Sequence, residues 1–454
     1  MPKIKSINPY NKEINAEFDL LTKDEINIKI TKANNAFKSW KNVSSSDKKK
    51  LFIRLSEILL ENKAELAKLN VIEMWMTYKN ALSDISKSAA WTLWFANNFE
   101  EILKDKEFNE WWIKGKLSYE PLWCIYSVAP WNFPFNQVFR NAVPNIIAWN
   151  VVLNKHASNV PMVAQKIEEL FLLAWFEEWI FTNLFISPKD TDYIINNKLI
   201  RWTNITWWDY AGRNIWKLAW ENLIPSLLEL WWNDPFLVLE NNDLNRIIND
   251  AVSARLWNCW QKCNSAKRFI VLEKYYDEFC DKFSKKMSEV KFWDPMNDEN
   301  LLWPLAKRSL VDEIESQIDD SVNKWAILLT WWKSISSDSN IFPPTVLKDV
   351  KPWMKVFDEE VFWPVAPITK AKDVEEAIYL ANNTRFWLWC SVYGDNLEEL
   401  DYVWSKIEAG NVFINKIVTS YPFLPYWWIK DSWYWKELWE RGLKNFVNEK
   451  VIVY

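Results

Sequence analysis

Glycine is almost missing. The 454-residue chain holds five, at positions 115, 212, 394, 410 and 442, where average usage of about 7% would give roughly 32. Histidine is down to His156 alone, so a Ser-His-Asp triad would have to be built on that one residue, and no G-x-S-x-G elbow accompanies it. His156 reads as a packed residue at a pocket wall. The five cysteines, at 124, 259, 263, 280 and 390, are too few and too scattered for a disulfide framework and fit a reducing compartment. No Cys/His cluster has zinc spacing, and no metal is expected. No run approaches the 18 or more apolar residues that span a bilayer, and the N-terminal MPKIKSINPYNKEINAEF lacks the apolar centre of a signal peptide. A cytoplasmic location is expected. Basic residues are not in excess either: the net charge of −5 argues against nucleic acid as the main partner.

Tryptophan is what the chain has too much of, at 35 residues. Doublets stand at Trp111-Trp112, Trp207-Trp208, Trp231-Trp232, Trp331-Trp332 and Trp427-Trp428, beside Asn, Asp and Lys in turn-like stretches. Turns of that kind need φ > 0 or close backbone approach, which a bare Cα permits and an indole forbids. A Trp-rich core would instead follow a 2.0 or 3.6 period, with each ring burying about 150–250 Å². These positions follow neither period. Most of them are read as glycine in the living protein, through a stop codon reassigned to glycine and translated as tryptophan. Trp40, Trp94 and Trp131, in aromatic or apolar contexts, are read as genuine.

Residues 23–105 carry apolar positions at three- and four-residue steps, the mark of amphipathic helices, with Thr22 or Ser46 as candidate caps. From about 119 short β-rich runs (CIYSVAP, NVVLNKHA, FTNLFIS, SLLEL) alternate with amphipathic stretches, which predicts parallel βαβ units and a doubly wound sheet. A second such series runs from PFLVLE through RFIVLE, TVLKDV, VAPIT and CSVYGD to VFIN. The tail KNFVNEKVIVY reads as a terminal strand that, with YEPLWCIY, forms an edge used in assembly.

Trp257-Asn258-Cys259-Trp260-Gln261-Lys262-Cys263, read with glycine for tryptophan, becomes GNCGQKC. A glycine-flanked cysteine on a loop before a strand is either an exposed nucleophile or a small buried hydrophobe. Three further segments, read the same way, become APWNFP (129–134), LELGGNDP (228–235) and EEVFGPV (359–365). In this order they make the chain resemble the NAD(P)-dependent aldehyde dehydrogenase superfamily, and the likeness runs from SINPYNKE near the start to SWYWKELWERGL near the end. Within the superfamily it is similar to bacterial succinate-semialdehyde dehydrogenases, through PWNFPFNQVFRNAVP, NKHASNVP and CNSAKRFIVLE.

The resemblance implies an α/β fold with a Rossmann-type cofactor domain (1–102 and 122–230), a second α/β catalytic domain (231–435) and a small oligomerisation sheet (103–121 and 436–454) that builds a homodimer or homotetramer. Cys263 would be the nucleophile, Asn132 the oxyanion donor together with the Cys263 backbone N–H, and Glu229 the general base that hydrolyses the thioester. The base at Glu229 favours release of a free acid over transfer to coenzyme A. Lys155 would meet the adenosine ribose. Ser158 stands where many NAD-preferring relatives carry a Glu that repels a 2′-phosphate, so NADP is favoured and NAD tolerated. Trp131, Trp207, Trp208 and Gly212 would line the cofactor, with 207–208 opening the helix under the pyrophosphate; Glu360 would bind the nicotinamide ribose and Phe362 pack beside the ring. Arg140 and Ser420 would hold a substrate carboxylate, Arg by its planar two-pronged grip. Cys259 is a redox partner for Cys263 or an inert thiol. The expected reaction is oxidation of succinate semialdehyde or a similar ω-carboxy aldehyde. The alternatives are a broad enzyme for neutral aldehydes and a non-catalytic binding or structural protein on the same fold.

Overall fold

The computed structural model describes the chain apart from residues 1, 292–294, 298–299, 301–303, 306–307, 331–339, 363, 388 and 428, and apart from the side chains of Cys259, Trp260, Trp387 and Trp433. Trp331-Trp332, Trp363, Trp428 and the redox reading of Cys259 therefore lie outside the described residues.

The chain opens with an antiparallel hairpin, β1 (Lys3–Ile7) and β2 (Ile14–Asp19), which no periodicity announces because Ser6 alone is buried in β1. Four helices follow: α1 (Lys23–Trp40), α2 (Ser45–Glu61), α3 (Lys63–Met74) and α4 (Tyr78–Ile102). Thr22 caps α1 through a capping box with Glu25. The cap of α2 is Ser44 and not Ser46: the helix already begins at Ser45, and the Ser44 hydroxyl accepts the Asp47 N–H.

After the hairpin β3 (Lys106–Glu110) and β4 (Ile113–Pro121) comes the first α/β series. It comprises β5 (Cys124–Ala129), α5 (Pro134–Ile147), β6 (Val151–His156), α6 (Pro161–Leu173), β7 (Phe181–Asn183), α7 (Thr191–Ile195), β8 (Ile200–Thr206), α8 (Asp209–Glu221) and β9 (Ser226–Glu229). Its strands lie parallel in the order β9-β8-β5-β6-β7. All six residues of β5 and of β6 are buried, as expected for parallel strands covered on both faces. Two buried carboxylates from the helical segment cap later helices. Glu73 accepts the N–H groups of Met162 and Val163 at 2.9 Å each, and Asp84 those of Phe135 and Asn136 at 3.2 and 3.1 Å.

The second series comprises β10 (Pro235–Val238), α9 (Leu244–Leu256), β11 (Arg268–Leu272), α10 (Glu273–Ser288), α11 (Arg308–Asn323), β12 (Ile327–Leu328), β13 (Thr345–Lys348), α12 (Lys355–Asp358), β14 (Val365–Ala371), α13 (Val374–Asn382), β15 (Phe386–Trp387), β16 (Trp389–Tyr393), α14 (Leu397–Lys406) and β17 (Asn411–Ile414). Its main sheet has the order β12-β13-β14-β11-β10-β16-β17, parallel except for the edge strand β12. Then β18 (Ile429–Lys430) pairs with β15, and β19 (Trp433–Tyr434) returns to the first sheet beside β9. After α15 (Trp439–Lys444), β20 (Val447–Val453) pairs antiparallel with β4 to complete a three-stranded sheet with β3.

Backbone geometry separates two kinds of tryptophan. Among the described residues 17 non-glycine positions have positive φ, ten of them tryptophan (75, 111, 123, 149, 175, 179, 325, 353, 435 and 439), while no written glycine does. Trp75, Trp149, Trp175 and Trp325 follow the ends of α3, α5, α6 and α11 with φ of 59, 65, 67 and 80°, the left-handed helix-terminating position that glycine usually fills. Trp111, at φ 57°, sits in the two-residue turn between β3 and β4 with its side chain in water at 86% exposure, and such turns favour glycine for the same reason. Trp40, by contrast, is buried within α1 and its indole N–H donates to the Ile146 carbonyl at 3.0 Å.

Candidate active site

In the first sheet the connections run outward to opposite sides between β5 and β8, and crevices for ligands form beyond the carboxyl ends of strands at such a reversal. A cleft lies there. After β5 come Pro130, Trp131 and Asn132; β8 ends in Thr206, followed by Trp207 and Trp208; β9 leads to Leu230, Trp231 and Trp232. The second α/β series contributes Cys263, Glu360 and Phe362. Seven of the residues singled out in the sequence, Trp131, Asn132, Trp207, Trp208, Cys263, Glu360 and Phe362, thus meet in one place.

Cys263 lies on the loop between a 3-10 turn (Trp257–Trp260) and β11, 6% exposed. Buried Asn258 ties this loop to the one after β5, its side-chain amide donating to the Asn132 carbonyl at 2.7 Å and to the Gln261 carbonyl at 3.2 Å. Lys267, also buried, donates to the Cys263 carbonyl at 2.5 Å and pairs with Glu360 at 3.0 Å. Burial pushes the Glu360 carboxyl up, against the pull of the Lys267 ammonium. The phenol of Tyr426 stands 3.7 Å from the Cys263 sulfur. Asn258, Lys267 and Tyr426 escape sequence reasoning because each is an ordinary core or turn residue until its partner is known.

A second cleft, on the other side of Trp207, is lined by Lys155, Ser158, Thr191, Tyr210 and Asn214. Trp207 lines both clefts, so its indole stands between them. Gly212, in the first turn of α8, permits close packing on the strand end: a Cβ there would meet Leu230 Cδ2 at 2.0 Å. His156 is packed at the wall, with its ring bonded to the Pro134 carbonyl at 3.0 Å and accepting the Ala157 N–H at 2.8 Å. Burial pulls its pKa down to about 4, leaving it neutral at pH 7.

Arg140 is not among the residues that line the cleft. It is buried in an ion-pair cluster with Glu437 and Glu229, its guanidinium 4.3 Å from the centre of the Tyr426 ring. A guanidinium out of water needs carboxylate partners, and these two take the prongs a substrate would use. Glu229, expected to face the nucleophile, ends β9 fully buried and turned to Arg140, whereas the next three residues line the cleft. Glu437, inside SWYWKELWERGL, is the member of this cluster that sequence reasoning missed. Arg140→Met should cost about 3–5 kcal/mol, since it strands two buried carboxylates, and urea unfolding reads the loss; a midpoint equal to the parent's would mean the cluster holds nothing together. Ser420 accepts the Lys87 ammonium at 2.7 Å.

Among the described residues no group of three His, Cys, Asp or Glu side chains is arranged to hold a metal ion, and no helix is long and apolar enough to cross a membrane. A cysteine and an asparagine thus line one cleft at the reversal point of a doubly wound sheet, where such sheets bind their ligands. The chain belongs to the Aldehyde dehydrogenase family, whose profile matches residues 2–452. It is 33% identical over 457 residues to a succinate-semialdehyde dehydrogenase [NADP(+)] 1 of Mycobacterium ulcerans, covering 99% of both chains. To a succinate-semialdehyde dehydrogenase [NADP(+)] of Mycobacterium avium it is 34% identical over 453 residues, covering 99% of this chain and 96% of the other. A crystal structure of succinic semialdehyde dehydrogenase from Streptococcus pyogenes with NADP+ superposes with a TM-score of 0.96 at 31% identity, covering 99% of each chain.

Proposed function

We propose that this enzyme oxidises succinate semialdehyde, or a close ω-carboxy aldehyde, to the acid with NADP as the favoured oxidant and NAD tolerated. The observation that carries the reading is the meeting of Cys263, Asn132, Glu360 and Phe362 in one cleft; the named relatives support the substrate and the cofactor. Lys155 and the short, neutral Ser158 face the second cleft, where a 2′-phosphate meets no carboxylate from position 158. When bound, NADP takes a hydride. The Cys263 thiolate attacks the aldehyde carbon, while the Asn132 amide and the Cys263 backbone N–H steady the oxyanion. Glu229 then takes a proton from the water that releases the acid. For that its carboxylate has to leave Arg140 and turn to the cleft.

Both the cofactor path and the turn of Glu229 need space that Trp207, Trp208, Trp231 and Trp232 fill. The functional protein carries glycine at these positions and at the positive-φ tryptophans, and Trp40, Trp94 and Trp131 are retained. Glycine at 207 removes the indole that lines both clefts. Residues 1–102 and 122–230 serve the cofactor and 231–435 the chemistry. The β20-β4-β3 sheet, formed by 103–121 and 436–454, joins subunits into a homodimer or homotetramer, covering an otherwise open edge. Unpaired Cys124, Cys263, Cys280 and Cys390 suit the reducing cytoplasm.

The test of the substrate is a ratio. On the glycine-bearing chain, kcat/KM for succinate semialdehyde should exceed that for butanal by roughly tenfold or more, the worth of a charge-assisted contact. Equal values would leave the neutral-aldehyde enzyme as the better reading.

A further inference from the structure

A cysteine attacks as the thiolate, and a thiolate on a buried loop is costly unless a donor meets it. The Cys263 loop is fixed from two sides, by the Asn258 amide on the Asn132 carbonyl and by Lys267 on the Cys263 carbonyl. Lys87 from α4, Arg140 from α5 and Lys262 from the loop itself act on the sulfur through their charge, Arg140 being paired in turn with Glu437 and Glu229. The Tyr426 hydroxyl touches it, at 3.7 Å, a hydrogen-bond distance for sulfur.

Tyr426 is itself held in place. Its backbone exchanges two hydrogen bonds with that of Glu437, at 2.9 and 3.0 Å, as an isolated antiparallel bridge, and its buried ring lies 4.3 Å from the Arg140 guanidinium. With glycine at 389 the ring loses the Trp389 indole, 4.9 Å away, and keeps both of these supports. Burial, then the charge of the Cys263 thiolate, hold the phenol well above the ordinary tyrosine range, against the pull of Arg140. The proton therefore stays on oxygen, and the hydroxyl donates to the sulfur. A phenylalanine would fill the same space with no donor.

We propose that Tyr426 is a positioning residue for the reaction, whose hydroxyl donates a hydrogen bond to the Cys263 thiolate and keeps the nucleophile ionised and in place until the aldehyde arrives. The thiol proton has by then gone to solvent, and the phenol keeps its own throughout. The sulfur electron pair then forms the bond to the aldehyde carbon while the carbonyl π pair moves onto oxygen, towards Asn132, so the charge that the phenol answered leaves the sulfur. The hydrogen bond is strongest in the resting enzyme. It raises the share of ionised thiol at neutral pH and lowers the reactivity of each thiolate. This assignment rests on the reading of Cys263 as the nucleophile.

Alkylation of the glycine-bearing chain by iodoacetamide, followed against pH without cofactor, tests it, with the Cys263→Ser variant subtracting the other thiols. In Tyr426→Phe, which keeps the ring on Arg140, the pH of half-maximal alkylation should rise by about one unit and the rate at neutral pH fall roughly tenfold, as expected for a lost hydrogen bond to a charged group. At high pH the variant should match or exceed the parent. The acid limb of kcat/KM for succinate semialdehyde should move with it, while NADPH binding and the urea midpoint check the fold. 3-Fluorotyrosine placed at 426 keeps the shape, donates more strongly and should move both limbs the other way. A merely structural Tyr426 would lower the rates evenly at every pH; limbs that stay in place in these variants would overturn the assignment and leave Cys263 as the nucleophile. A Cys263→Ser chain that turns over like its parent would defeat the nucleophile reading, and this assignment with it.

Discussion

Expressed with tryptophan at every written position, the chain is expected to be insoluble or unfolded, whereas the chain with glycine at all of them except 40, 94 and 131 should be soluble and bind NADPH. The argument starts from the backbone. Ten tryptophans stand at positive φ, and a non-glycine residue there costs of order 1–3 kcal/mol. Their combined burden rivals the roughly 5–15 kcal/mol by which a protein is stable at all. Packing adds to it. Trp207, Trp208, Trp231 and Trp232 crowd one cleft, and overfilling a packed site by a few methylenes costs about 1–3 kcal/mol. Soluble yield, circular dichroism and NADPH fluorescence compare the two chains. A folded, active tryptophan chain would overturn the glycine reading, and Trp-specifying codons read as such in the source would do the same.

Cys263→Ser in the glycine-bearing chain is the second large effect. Turnover should fall by about a thousandfold or more, because a hydroxyl without an adjacent activating base is a far weaker nucleophile than a thiolate, while NADPH binding stays intact. That split is what distinguishes chemistry from architecture. Asn132 and Glu360 line the same cleft, and Lys267 holds the Cys263 carbonyl, so the loop keeps its frame without the sulfur. Unaltered turnover would remove Cys263 from the mechanism and require another nucleophile.

The parts of the fold that sequence made legible are those where one periodicity dominates. LNRIINDAVSARL forms α9 over Leu244–Leu256 and RFIVL forms β11 over Arg268–Leu272, because each is long or apolar enough to be decided locally. The β1–β2 hairpin was hidden by its exposure, and the cap at Ser44 by a run of three serines in which only the helix start decides. The site divides along the same line. Cys263 and Asn132 were singled out through motifs read together, and the fold brings both to one cleft. The partner of Arg140 was not, because Glu437 lies 297 residues away along the chain and the choice between substrate and buried carboxylate depends on a contact that only the folded chain makes. Tyr426 and Lys87 were silent for the same reason. The tryptophan doublets left the motifs readable, since their order and spacing are kept.

The measurement that bears most directly on the account is NADP reduction by succinate semialdehyde with the glycine-bearing chain, followed by the absorbance of NADPH and by chromatography of the acid. The account predicts steady formation of NADPH and the free dicarboxylic acid in equal amounts. A folded, NADP-binding chain that forms neither would contradict it.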